Sequence, residues 1–234
     1  MNDFLSLTQR KSLVEIRQTF AAKGIPANKI RPQVLKLYAP LSTTSNTLTF
    51  STDINQPPVI SSQVTVENRL KRDSLMFVNL FGLALHKVQV FSTVKYPSNS
   101  PLIFYPDKNV FGTAAAAPGV VAEWACLEAL YHSLLTFKTN TEVRLEDYPC
   151  NVFRSAPTTQ NGAAAQPGQD PVLVDLNTSF YLSGQVDNKF TVTIPPDADR
   201  NGIAGTAAGV NYAVLLLSGF EIMEGAKSVK LTEI

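Results

Sequence analysis

Residues 6–23, SLTQRKSLVEIRQTFAAK, place Leu13, Ile16 and Phe20 on one face of a 3.6-residue period, which predicts an amphipathic helix. Ser6 or Thr8 can cap its start, Gly24 stands where a left-handed C-terminal residue belongs, and Pro26 stops continuation. From residue 34 the period changes to two. VLKLYAPLS (34–42), TLTFSTD (47–53) and QVTVENRL (63–70) alternate as strands, and the two prolines of INQPPVISS mark a loop. The most hydrophobic stretch, SLMFVNLFGLALHKVQVF (74–91), predicts one long strand, or two strands bent at Gly82. PLIFYP (101–106) is a further strand.

A second helix follows. GTAAAAPGVVAEWACLEALYHSL begins as a loop, offers Pro118 at a first-turn position and carries a helical stripe through Trp124 to about His132. Strands resume at 134–140, at 142–149 and in CNVFRS. After the Gly/Pro/Ala/Gln-rich loop 155–171 they return as VLVDLN (172–177), SFYLSG (179–184), KFTVTIPP (189–196) and NYAVLLLSGFEIME (211–224). QVDN between two of these is a hairpin signal. Many short strands with turn signals between them, and no strand–helix alternation, predict an all-β sandwich or barrel. The long loops and the helix inserted among strands favour a jelly roll over a plain meander. No repeat of 20–50 residues is visible.

Composition sharpens this picture. Of 234 residues only 17% are charged and 44% are hydrophobic, against a usual charged share of roughly 25%. A surface poor in charge suits a protein that packs against neighbours. Net charge is +1, but it is unevenly spread. Residues 1–36 hold seven basic and two acidic side chains, a net +5, which leaves −4 for the remainder. A basic arm, with Arg10, Lys11, Arg17 and Lys23, can touch a polyanion or an anionic membrane; the plainer alternative is a solvated helix face. Cys126 and Cys150 form no CxxC pair, and no secretion signal or run of about 18 apolar residues is present, so a reducing, cytoplasm-like setting is expected.

Candidate chemistry is sparse. His86 and His132 lie far from each other and from carboxylates at ligand spacing, and no G-x-S-x-G, Walker or G-x-G-x-x-G motif occurs. Glu142, Glu146 and Asp147 surround one strand without a second set of carboxylates. No enzyme activity is expected. The best-formed motif is PPDADRNGIAG, where Asp197, Asp199 and Asn201 alternate before Gly202 as in the first half of a calcium loop. Position twelve would be Ala208, which has no carboxylate, and no helices flank the segment, so this is not an EF-hand. A turn in which Asp and Asn bond their own backbone is the simpler reading. A looser calcium site that stabilises subunit contacts is the alternative.

Two segments carry a family likeness: VENRLKRDSLMFVNLFGLALHKV (66–88), and LNTSFYLSGQVDNKFTVTIPPDA (176–198) followed by NYAVLLLSGFEI (211–222). Together they resemble virion structural proteins of bacteriophages, in particular the jelly-roll capsid proteins of icosahedral phages that infect Bacteroidetes-type bacteria. The resemblance covers roughly the last two thirds of the chain. It implies an all-β, viral-capsid-type jelly roll, single or compact double, with an N-terminal helical arm over 1–33, a body over 34–234 and one inserted helix. It further implies a self-assembling homo-oligomer, frequently trimeric, in the virion after assembly in the host cytoplasm, beside other virion proteins. The basic arm would then meet packaged nucleic acid or an internal membrane. The competing class is a β-sandwich binding module, such as a receptor- or carbohydrate-binding domain.

Overall fold

A computed structural model describes residues 7–42, 44–52, 70–86, 90–91, 94–95, 102–103, 129–140, 142–154, 173–196, 205–206, 209–210 and 212–225. One helix, α1 (Leu7–Ala21), precedes the strands. These are β1 (Ile30–Pro40), β2 (Thr47–Ser51), β3 (Leu75–His86), β4 (Val90–Phe91), β5 (Val94–Lys95), β6 (Leu102–Ile103) and β7 (Leu134–Thr139). β8 (Glu142–Pro149), β9 (Val174–Ser183), β10 (Asn188–Thr193), β11 (Gly205–Thr206), β12 (Gly209–Val210) and β13 (Tyr212–Ile222) complete the set. The fold is an all-β sandwich of two antiparallel sheets. The first runs β1-β13-β3, with β9 and β6 sharing the far edge of β3; the second runs β2-β10-β7-β8. β4/β5 and β11/β12 are small separate ladders.

Among the described residues, eight strands of five residues or more carry the sandwich, and their pairing is nested. In chain order the first pairs with the eighth (β1·β13), the second with the seventh (β2·β10), the third with the sixth (β3·β9) and the fourth with the fifth (β7·β8). Two further ladders, β13·β3 and β10·β7, knit these pairs into the sheets.

The alternation written in the sequence explains the layers. Leu35, Leu37 and Ala39 of β1, Ala213, Leu215 and Leu217 of β13, and Leu83 and Leu85 of β3 face Leu48 and Phe50 of β2, Phe190 and Val192 of β10, and Leu135 and Phe137 of β7 in one buried core. β3 and β13 read as almost continuous apolar runs because their outer faces are covered as well. There α1 lays Leu13, Ile16 and Phe20 on Ile30, Leu75, Phe220 and Ile222. Burial of such a side chain contributes about 1.5–3 kcal/mol, so this stripe holds the helix to its own body. The helix ends as Gly24 predicted. Gly24 adopts φ +79, its N–H reaches Ala21 O at 3.0 Å, and Ile25 N–H reaches Phe20 O at 2.9 Å. Phe20 and Ile25 are then buried together, as a Schellman ending requires.

Several local expectations are corrected. CNVFRS is not a strand: Cys150–Phe153 is a 3₁₀ turn that buries Cys150 and Phe153 three residues apart. VLVDLN and SFYLSG are one strand, β9. QVDN is not a hairpin turn, because β9 belongs to the first sheet and β10 to the second, so the segment crosses between layers. Asn188 is why it turns so: its buried Nδ2 donates to Ser183 O (2.8 Å), Val186 O (3.1 Å) and Thr52 Oγ1 (3.1 Å). The irregularity in β3 lies at Asn79, not at Gly82. Val78 pairs with Gly219 and Leu80 with Ser218, leaving Asn79 as the extra residue of a bulge, while Gly82 pairs regularly with Leu216. The first strand begins at Ile30, ahead of the expected residue 34. Of the inserted helix only the end, at 129–131, falls within the described residues; Trp124 and Cys126 lie outside them.

Candidate functional site

The polar groups that the fold gathers are mostly structural. Glu221, buried on β13, accepts from Arg31 Nε (2.9 Å) and Nη2 (2.7 Å) on β1, and from Ser74 Oγ (2.9 Å) ahead of β3. Charge-assisted bonds of this kind are the stronger class of hydrogen bond. They tie three segments at one end of the sandwich, where Lys29 also meets Glu224 at 2.8 Å. At the same end the β7–β8 turn is latched to the β9–β10 crossing: Asn140 N–H donates to Asp187 O (2.8 Å) and Asp187 N–H to Asn140 Oδ1 (3.3 Å). Asn79, at the bulge, is buried with neither amide atom bonded among the described residues.

The two histidines are held by structure as well. His86 is buried beside Tyr38 and Tyr212, with ring centroids 6.0 and 6.5 Å away. Arg154 Nη2 donates to His132 Nε2 at 2.8 Å. Asp197, Asp199 and Asn201 lie outside the described residues, as does Ala208. Among the described residues no cluster of three His, Cys, Asp or Glu side chains is placed to hold a metal ion. Arg10 and Lys11 lie on α1, and Arg17 and Lys23 are half-buried. From Leu13 onward, where side-chain exposure is described, the exposed positions on α1 are Val14, Glu15, Gln18, Thr19 and Ala21, none of them basic. No described helix is long and apolar enough to cross a membrane.

Cys150 shows how inert the interior is. Burial pushes its thiol up to about 11, offset in part by a hydrogen bond with Ser133. The raised value favours the protonated thiol in the fold. This stabilisation is full below the unfolded thiol's ordinary value near 9 and is lost as pH rises through about 11. Burial raises Tyr38, and burial and Glu15 raise Tyr181, in the same direction. The expected result is a melting temperature that falls as pH climbs above about 9. In a Cys126→Ala background, iodoacetamide at pH 8 should leave the folded protein unlabelled and label it once it is unfolded in urea.

The second sheet presents a broad surface whose composition asks for a partner. Its inner face is core, but its outer face is open. Thr49, Thr191 and Thr136 form one cross-strand row, and Ser51, Lys189, Lys138 and Val143 form the next. Lys138 and Lys189 stand directly opposite each other, both exposed and without an ion pair among the described residues. Like charges so placed destabilise a sheet. Two of the exposed large hydrophobics, Leu134 at 39% and Val143 at 43%, sit on this face. β8 adds carboxylates. Leu145 and Tyr148 pack on the core, and the two residues between them, Glu146 and Asp147, both oppose Thr136. Asp147 adopts φ +47 at this bulge, and Thr136 Oγ1 lies 3.4 Å from its Oδ1. The alternating strands foretold an exposed side, but which strands are neighbours, and so which charges meet, is set by the crossings. The chain matches no family model, no curated protein and no solved structure.

Proposed function

We propose that this protein is a structural subunit of an icosahedral bacteriophage virion, a capsid protein built on a single jelly roll. The observation that carries the reading is the nested pairing of the eight long strands, first with eighth through fourth with fifth. A chain laid out as one long antiparallel hairpin and then wound into two facing sheets has this order, and that winding is a jelly roll. Eight strands is the complement of one roll. The low charge content and the open face of the second sheet are in keeping with a subunit that works by contact. On this reading the protein performs assembly rather than catalysis. Subunits join as homo-oligomers, trimers in the shell lattice, beside other virion proteins in a particle put together in the host cytoplasm.

The basic N-terminal segment keeps its proposed role against packaged nucleic acid or an internal membrane, now as a helix docked on the body and not as a free arm. The test is physical. Purified full-length protein, followed by light scattering and negative-stain electron microscopy over a rising concentration series, should form symmetric oligomers or shells. A strict monomer throughout overturns the reading.

A further inference from the structure

The outer face of the second sheet is self-complementary in charge, and we propose that it is a contact between two copies of this chain. The inference rests on the assembly reading above and assigns it a surface. Lys138 and Lys189 form a positive pair with no carboxylate paired to either among the described residues. Glu146 and Asp147 form a negative pair at the β8 edge of the same sheet. Leu134 and Val143 supply exposed apolar surface between and beside them. A face holding both signs in separate strips, with apolar side chains among them, fits a second copy of itself: each copy's lysines meet the other's carboxylates, and each charge gains an opposite charge that none of the described residues gives it.

Docking by strand addition is disfavoured at this edge. β8 carries two register shifts against β7, charged residues at Glu142, Arg144, Glu146 and Asp147, and Pro149 at its end. These are the devices that blunt a sheet edge. The contact is therefore made by side chains across the face, in the manner of two packed sheets, and depends on ionic strength.

The experiment is a charge swap in trans, on the full-length chain. Lys189→Glu and Glu146→Lys are made separately; both positions are exposed, so both proteins should melt within a few degrees of the parent. Analytical ultracentrifugation at low salt should show each variant alone associating at least roughly tenfold more weakly than the parent, since each puts like charges face to face. An equal mixture of the two should associate as the parent does, because the K189E copy then offers carboxylates to the E146K copy's lysines. Raising salt to about 0.5 M should weaken the parent and the mixture alike.

If the parent assembles and both variants assemble equally well, the face is not the contact, and the proposed function stands. If the parent never assembles, the proposed function itself fails. If Lys189→Glu abolishes retention on a single-stranded DNA column while association is unchanged, the face serves a polyanion instead and the inference is overturned.

Discussion

Gly219→Ala should cost about 3–5 kcal/mol, or prevent folding altogether. A Cβ built at Gly219 would lie 1.8 Å from Phe77 O, 2.9 Å from Phe77 C and 3.1 Å from Val78 Cα. All three are backbone atoms of β3, so no side chain can rotate away. Nor can β3 move aside, since Phe77 is paired with Phe220 on one edge and with Tyr181 on the other. The close approach comes from the bulge: Asn79 is the extra residue that draws the two chains together opposite Gly219. With about 2–4 °C lost per kcal/mol in a chain of this size, the melting temperature should fall by roughly 10–15 °C. A Gly219→Ala protein whose urea midpoint matches the parent's would show that β13 and β3 do not meet as described.

This site also shows what the sequence could reveal about the fold and what it could not. The long apolar strand was plain from LMFVNLFGLALH, but a glycine inside it drew attention to Gly82, when the glycine that matters is Gly219 on the strand beside it. Steric need belongs to the pair, and single-chain periodicity holds no information on which strands pair. The same limit turned QVDN into an expected hairpin. Its residues do form a turn, but whether the next strand returns to the same sheet or crosses to the other depends on the buried amide of Asn188 reaching Ser183, Val186 and Thr52. α1 was legible almost to its boundaries, because its stripe, its glycine and its proline are all local signals. The candidate surface was half legible. The period of two in TLTFSTD pointed to a strand with one side turned away from the core, while the opposition of Lys138 to Lys189 appears only once β10 and β7 are neighbours.

Phe137→Ala should cost about 3–5 kcal/mol, whereas Thr136→Ala, one residue earlier, should cost no more than about 0.5 kcal/mol. Phe137 is 1% exposed at the centre of β7. Its ring stacks on Phe190 of the same sheet with centroids 4.3 Å apart and planes 10° from parallel. Toward the other sheet it meets Phe180 of β9 edge-on at 5.1 Å, and Phe180 in turn meets Phe81 of β3 at 5.9 Å. This line of rings bridges the two layers. Aromatic pairs of this geometry contribute about 0.5–1.5 kcal/mol beyond the area they bury. Truncation removes two such contacts and leaves a cavity that neighbouring strands, held in their ladders, cannot close. Phe137→Leu keeps most of the volume and should cost distinctly less. Thr136 points the other way, onto the open face, so its loss touches the bond to Asp147 and little else. Urea denaturation of the three variants therefore measures the inward–outward alternation of β7 directly. If Thr136→Ala were as damaging as Phe137→Ala, the open face of the second sheet would be covered by the chain's own fold, and the proposed contact between copies would lose its surface.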